Sequence, residues 1–179
     1  MSRILHVGRP NLGDREEFLQ RVESILDSKW LSNGGAQCLE FESAVQDLLG
    51  VREVVAVCNA TIGLELTAKA LGMRGKVIVP SYTFIATAHA LAWMGIEPVF
   101  CDIDPKTHNM DLEHLKSLVD EEVSGVVAVN CWGRPCDIDG LGEFCRETGI
   151  RLMYDSSHAL GNTYGDVRIG NFGDAEVFS

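Results

Sequence analysis

The chain has 179 residues, 46% of them hydrophobic and 23% charged, with a net charge of −11. This length and balance suit one globular domain with a real core. The acidic excess, with no cluster of Lys and Arg, argues against nucleic acid and anionic membranes as partners, and no apolar run approaches the ~20 residues of a membrane span. The opening Met1 to Gly8 is too short and too quickly interrupted to read as a signal peptide. The six cysteines form no CxxC pair, and several lie in apolar runs. They read as small buried hydrophobes in a reducing cytoplasm rather than as a metal site or a disulfide framework.

Residues 14 to 28 read as a helix. Asp14 with Glu17 three positions on makes a capping-box-like start, and Phe18, Val22, Ile25 and Leu26 share a face. Trp30 to Gly35 is a turn, and its glycines permit positive φ. A second helix carries Phe41, Val45, Leu48 and Leu49, with Gly50 as its C-cap. Val54 to Val57 is a continuous apolar run, as in a strand buried on both faces. Asn59-Ala60-Thr61 leads into a helix ending near Leu71. Short apolar strands are expected at Lys76–Val79, Pro98–Cys101, Val126–Val129 and Arg151–Tyr154. Helices are expected over residues 83–94, 111–119 and 138–147. The chain stops at Glu176 to Ser179 in what reads as a strand, so a fragment of a longer protein is expected.

Strand–helix alternation predicts an α/β domain with a mostly parallel central sheet flanked by helices. Residues 1–50 read as a helical arm and 51–179 as the α/β domain. Ligands of such sheets bind beyond the carboxyl ends of the strands. Asn59-Ala60-Thr61 there is either an anion site on a helix start or a simple N-cap. Phe84 either faces a flat ring or packs in the core. Asp155, delivered by an apolar strand, needs a positive partner if buried. A protonated pyridine nitrogen would serve, and a turn or cap role is the alternative. His158 either bonds a ring oxygen or is a satisfied loop histidine. Asp102 and Asp104 read as solvated turn acids, and Cys131 to Pro135 as a tight loop with Gly133 serving its geometry.

Several segments together carry a resemblance. They are Trp30 to Gly35, Cys58 to Thr61, Val79 to Thr87, Pro98 to Asp104, Trp132 to Asp139, Asp155 to Gly161 and Gly173 to Ser179. In this order they resemble the DegT/DnrJ/EryC1/StrS family of pyridoxal-phosphate-dependent aminotransferases, which act on nucleotide-linked keto-sugars. The resemblance implies the large domain of the aspartate-aminotransferase type, fold type I, here truncated. It implies that Ala60, Thr61 and Ser179 hold the cofactor phosphate and that Phe84 stacks on the pyridine ring. Asp155 would pair with the ring nitrogen, and His158 would contact the ring hydroxyl side.

By the same resemblance the amino donor is glutamate and the full-length protein a homodimer. The family's Schiff-base lysine follows the segment containing Ser179. The lysines present, Lys29, Lys69, Lys76, Lys106 and Lys116, match other positions, so this chain alone is expected to be inactive. The alternatives are a deoxysugar dehydratase of the same family, with histidine at the lysine position, and a non-catalytic or regulatory truncated product.

Overall fold

The structure, a computed structural model, describes residues 10 and 12–179. The opening segment, in which no signal peptide is read, lies outside the described residues. The chain divides into two compact units, Met1–Ala44 and Val45–Ser179.

The first unit holds α1 (Arg15–Ser28) and most of α2 (Ala36–Leu49). The Asp14 side chain caps α1 by accepting from the Glu17 N–H at 2.9 Å, which satisfies one of the orphan donors of the first turn. The apolar stripe of α1 is present but exposed, and none of the helix's residues is buried. Arg21 joins the two helices, donating to Gln37 Oε1 at 2.7 Å and to Glu40 Oε2 at 2.8 Å. Gly34 takes a positive φ of 70° in the connecting turn.

The second unit is a sheet covered by helices on both faces. Its strands are β1 (Lys76–Pro80), β2 (Glu97–Cys101), β3 (Val123–Val129), β4 (Arg151–Asp155) and β7 (Ala175–Val177), in the order β2-β1-β3-β4-β7. Every pairing in this sheet is parallel. Burial follows the two-residue period of the strands. Val77, Val79, Val127 and Met153 pack on one face with Leu64 and Ala68 of α3 (Ala60–Ala70) and Ala90 and Leu91 of α4 (Ile85–Trp93). Ile78, Val126, Ala128, Leu152 and Tyr154 pack on the other with Leu115 of α5 (Leu112–Leu118) and Leu141 and Cys145 of α6 (Ile138–Thr148). The expected α/β class with a parallel, helix-flanked sheet is what the chain forms.

Two expectations change. Val54–Val57 is no strand; residues 51–58 carry no regular secondary structure, and Val55 is 77% exposed. An apolar run sets a preference for burial, but a strand also needs a ladder partner, and the terminal strand β7 is paired to β4. Helix α4 begins at Ile85, so Phe84 is its N-cap residue with extended φ −67°, ψ 140° rather than a helical one. An unforeseen two-stranded hairpin, β5 (Thr163–Tyr164) and β6 (Val167–Arg168), follows β4.

One close approach ties α3 to the sheet. A Cβ on Gly63 would lie 2.9 Å from Val177 Cγ1 of β7. Only glycine lets the helix sit this near the strand.

All six cysteines are free, with Cys101, Cys131, Cys136 and Cys145 buried and Cys58 exposed. Burial pushes the Cys136 and Cys145 thiols up to about 12, as suits inert core residues. Among the described residues no helix is long and apolar enough to cross a membrane, and no His/Cys/Asp/Glu cluster could hold a metal ion.

Candidate active site

Strand order places the site. The chain goes from β1 out to β2 and then crosses back over β1 to β3. The gap beyond the carboxyl ends of β1 and β3 is the switch point at which open α/β sheets bind ligands. A pocket of about 590 Å³ opens there, lined by residues that follow β1, β3, β4 and β7 and by the start of α3. Val129, Asp155 and Val177 lie in register across three strands, so the loops behind them leave the sheet at one level.

At the start of α3, Asn59 caps the helix, its side-chain oxygen accepting from the Ile62 N–H at 3.0 Å. The cap of the two alternatives is thus present, and it does not occupy the whole helix start. Capping uses the Ile62 donor and leaves the N–H groups of Ala60 and Thr61 at the positive end of the helix dipole. Ala60, Thr61 and Ser179 all line the pocket. Phe84 lines it too and is 74% exposed, which settles against a core role for its ring.

Asp155, the last residue of β4, is 6% exposed. Its Oδ2 accepts from the Thr87 hydroxyl at 2.8 Å, and its Oδ1 from the Ser157 hydroxyl at 2.6 Å and the Ser157 N–H at 3.2 Å. Thr83, just before the N-cap of α4, shares a 2.8 Å hydrogen bond with Thr87. Among the described residues no Lys, Arg or His forms an ion pair with Asp155. A buried carboxylate held by donors that fix its orientation, with acceptor capacity left on Oδ2, which takes a single bond, can receive a cationic N–H from the pocket.

His158 stands on the rim, exposed, with its imidazole stacked on Trp132 at 5.8 Å between centroids and 22° between planes. Trp132 is 73% exposed and adopts φ 55°, ψ 23°, a left-handed conformation that costs a bulky residue on the order of 1 kcal/mol.

Beneath the pocket runs a chain of hydrogen bonds with one direction. The Cys136 N–H donates to Asn130 Oδ1, Asn130 Nδ2 to Ser156 Oγ, and the Ser156 hydroxyl to Glu176 Oε2, at 2.9, 2.9 and 2.6 Å. Glu176 Oε1 accepts from the N–H groups of Gly170 and Phe172 at 2.8 and 3.1 Å. Burial holds the Glu176 carboxyl above the usual range, against the downward pull of these donors.

The sequence-derived candidates Ala60, Thr61, Phe84, Asp155, His158 and Ser179 are therefore brought to one pocket. Asp102 and Asp104 are not among its lining residues. The Asp102 N–H donates to His114 Nδ1 at 2.8 Å instead, and Asp104 caps a turn through the N–H groups of Lys106 and Thr107. Sequence reasoning missed Thr87, which orients Asp155, and Glu176. It read Trp132 only as loop. The Thr83/Thr87 spacing of four, which the expected helix over 83–94 would put on one face, was the available signal for the first.

Known proteins share this architecture. A crystal structure of DesI in the presence of its TDP-sugar product superposes with a TM-score of 0.94 at 51% identity, covering 100% of this chain and 46% of that one. The dTDP-4-amino-4,6-dideoxy-D-glucose transaminase of Escherichia coli is 33% identical over 89% of this chain and 43% of its own length. The GDP-perosamine synthase of Caulobacter vibrioides is 34% identical over 98% of this chain and 47% of its own length. The chain thus spans about half the length of the curated relatives it matches. The aspartate-aminotransferase-type α/β fold is borne out by this likeness. A match to the sequence profile of the DegT/DnrJ/EryC1/StrS aminotransferase family runs from residue 13 to residue 179, and the chain belongs to that family.

Proposed function

We propose that the whole protein is a pyridoxal-phosphate-dependent transaminase that passes an amino group, with glutamate as donor, to a nucleotide-linked keto-deoxysugar. The observation that carries this reading is Asp155, a buried carboxylate without a cationic partner among the described residues, aimed by Thr87 and Ser157 at a pocket of cofactor size. Bound there, pyridoxal 5'-phosphate would supply an electron sink for a carbanion.

The residues divide the work. The Ala60 and Thr61 N–H groups, the Thr61 hydroxyl and Ser179 bind the phosphate, where the α3 dipole favours an anion. Phe84 would offer its face to the pyridine ring. Asp155 would hold the proton on the ring nitrogen, and His158 would hydrogen-bond the ring oxygen. In this reading residues 51–179 are part of the cofactor-binding domain, and residues 1–50 are an arm. In the same reading the whole protein is a homodimer.

None of Lys29, Lys69, Lys76, Lys106 and Lys116 lines the pocket. Lys76, for one, is held by Asp120 at 2.8 Å. The 179-residue chain by itself therefore binds the cofactor without a covalent bond to it and does not transaminate.

The test has two arms. The 179-residue chain is titrated with pyridoxal phosphate, and borohydride is added; saturable binding is expected, with no reduced adduct at a pocket residue in the peptide map. The protein encoded by the whole reading frame is given glutamate and a nucleotide-linked keto-deoxysugar, and the product is weighed by mass spectrometry. Gain of an amine supports the reading. Loss of water would make the protein the dehydratase, and no change in the sugar would sink both.

A further inference from the structure

We propose that Trp132 is a positioning residue for His158, and through it a determinant of how tightly the pocket holds pyridoxal phosphate. The inference rests on the reading of this pocket as the cofactor site. The loop after β3 is fixed on both sides. Asn109, 4% exposed, accepts from the Cys131 N–H at 3.3 Å and donates to the Arg134 and Pro135 carbonyls at 3.2 and 2.8 Å. Asn162 Nδ2 donates to the Gly133 carbonyl at 2.6 Å. Gly133, at φ 79°, sits so close to the next loop that a Cβ would come 2.8 Å from the His158 carbonyl.

Between these anchors Trp132 is forced into the left-handed region, where glycine or asparagine would be at ease. Its indole is 73% exposed, so burial does not offset the strain. Strain held in place by its surroundings clusters at functional sites. What the indole does is stack on His158. Among the described residues the imidazole makes no hydrogen bond or ion pair, so this stack is what sets the direction of its nitrogens. The neighbouring anchor, Gly133 against the His158 carbonyl, keeps the two loops in step. A tryptophan kept for folding would be buried or unstrained. This one is neither, and it faces the ring that the cofactor would meet.

Trp132→Gly and Trp132→Asn remove the ring and relieve the backbone, while Trp132→Phe keeps an aromatic face. The expected result is that the Gly and Asn variants melt at or above the parent's temperature. The His158 ring-proton resonance, identified among the five histidines by its loss in His158→Gln, should move downfield in both as the ring current disappears. Their dissociation constants for pyridoxal phosphate should rise about 3- to 10-fold, with Trp132→Phe close to the parent. A His158 resonance that stays put in Trp132→Gly overturns the inference. So does a drop in melting temperature with unchanged cofactor affinity, which would make the tryptophan merely structural. If the parent itself binds no pyridoxal phosphate, the reading of the pocket is what fails and the inference falls with it. If the parent binds and the Gly and Asn variants bind equally well, the inference alone fails.

Discussion

Asp155 ends β4 and Trp132 stands just past the end of the neighbouring β3, and both border the same pocket, yet the fold treats them in opposite ways. Asp155 is buried, on a regular strand, and bonded at both oxygens. Trp132 is exposed and strained, and its ring contact is another rim residue. The same contrast separates Thr87, Ser156 and Glu176 below from Phe84, His158 and Ser179 above. The floor is built from groups whose desolvation forces them to find partners. The rim is built from groups left with faces and donors unused. Substitutions in the floor should therefore register in both stability and binding, and substitutions in the rim in binding alone.

The sharpest way to break this contrast is Asp155→Ala. With the ring nitrogen deprived of its counter-charge, affinity for pyridoxal phosphate should fall by about 3 kcal/mol, roughly a hundredfold, read from the cofactor's absorbance in a titration. Binding as tight as the parent's would show that Asp155 is not the nitrogen's partner. Next is Thr87→Val, which deletes the hydroxyl donor to a buried carboxylate. Urea unfolding should show a loss of about 2 kcal/mol, and a loss indistinguishable from zero would leave Ser157 as sufficient support. Phe84→Ala probes the rim. Its effect on unfolding should stay within about 0.5 kcal/mol, while cofactor affinity weakens by about 1 kcal/mol; the reverse pattern would put Phe84 in the core's service.

The smallest expected effect is a drift with pH. Because burial raises the Glu176 carboxyl above 4.5, the folded chain binds that proton more tightly than the unfolded chain. The resulting stabilisation is complete below the unfolded value and lost as pH rises through the folded one. The melting temperature of the parent relative to Glu176→Gln should accordingly decline from about pH 4 upward. A constant difference across that range would mean that Glu176 titrates alike in both states.

The floor was the more legible part in sequence. Arg151 to Asp155 announces itself, since a short apolar run ending in one acid has few other ways to sit in a sheet. Asn59 was legible because capping chemistry is local. The rim was not. Phe84 and Trp132 are aromatic residues beside apolar segments, and composition cannot say whether such a ring faces the core or the ligand. The left-handed backbone of Trp132 comes from Asn109 and the His158 loop, residues distant in sequence. Val54 to Val57 misled for a related reason, since hydrophobicity was visible and the absence of a neighbouring strand was not. The β5–β6 hairpin did leave a trace in Gly165-Asp166, a favoured two-residue turn, flanked by residues too few to stand out.

The contact between Gly63 and Val177 bears on the proposed anion seat. Helix α3 brings Ala60 and Thr61 to the pocket, and β7 leads to Ser179. These are two separate segments that would have to close on a single phosphate. The hydrogen atom standing where Gly63 would otherwise carry a methyl group acts as their spacer. Were it an alanine, the 2.9 Å approach to Val177 Cγ1 would have to open, and the helix start and the strand end would part together. The width of the proposed phosphate seat would thus be gauged three residues down the helix from it, by a side chain that is not there.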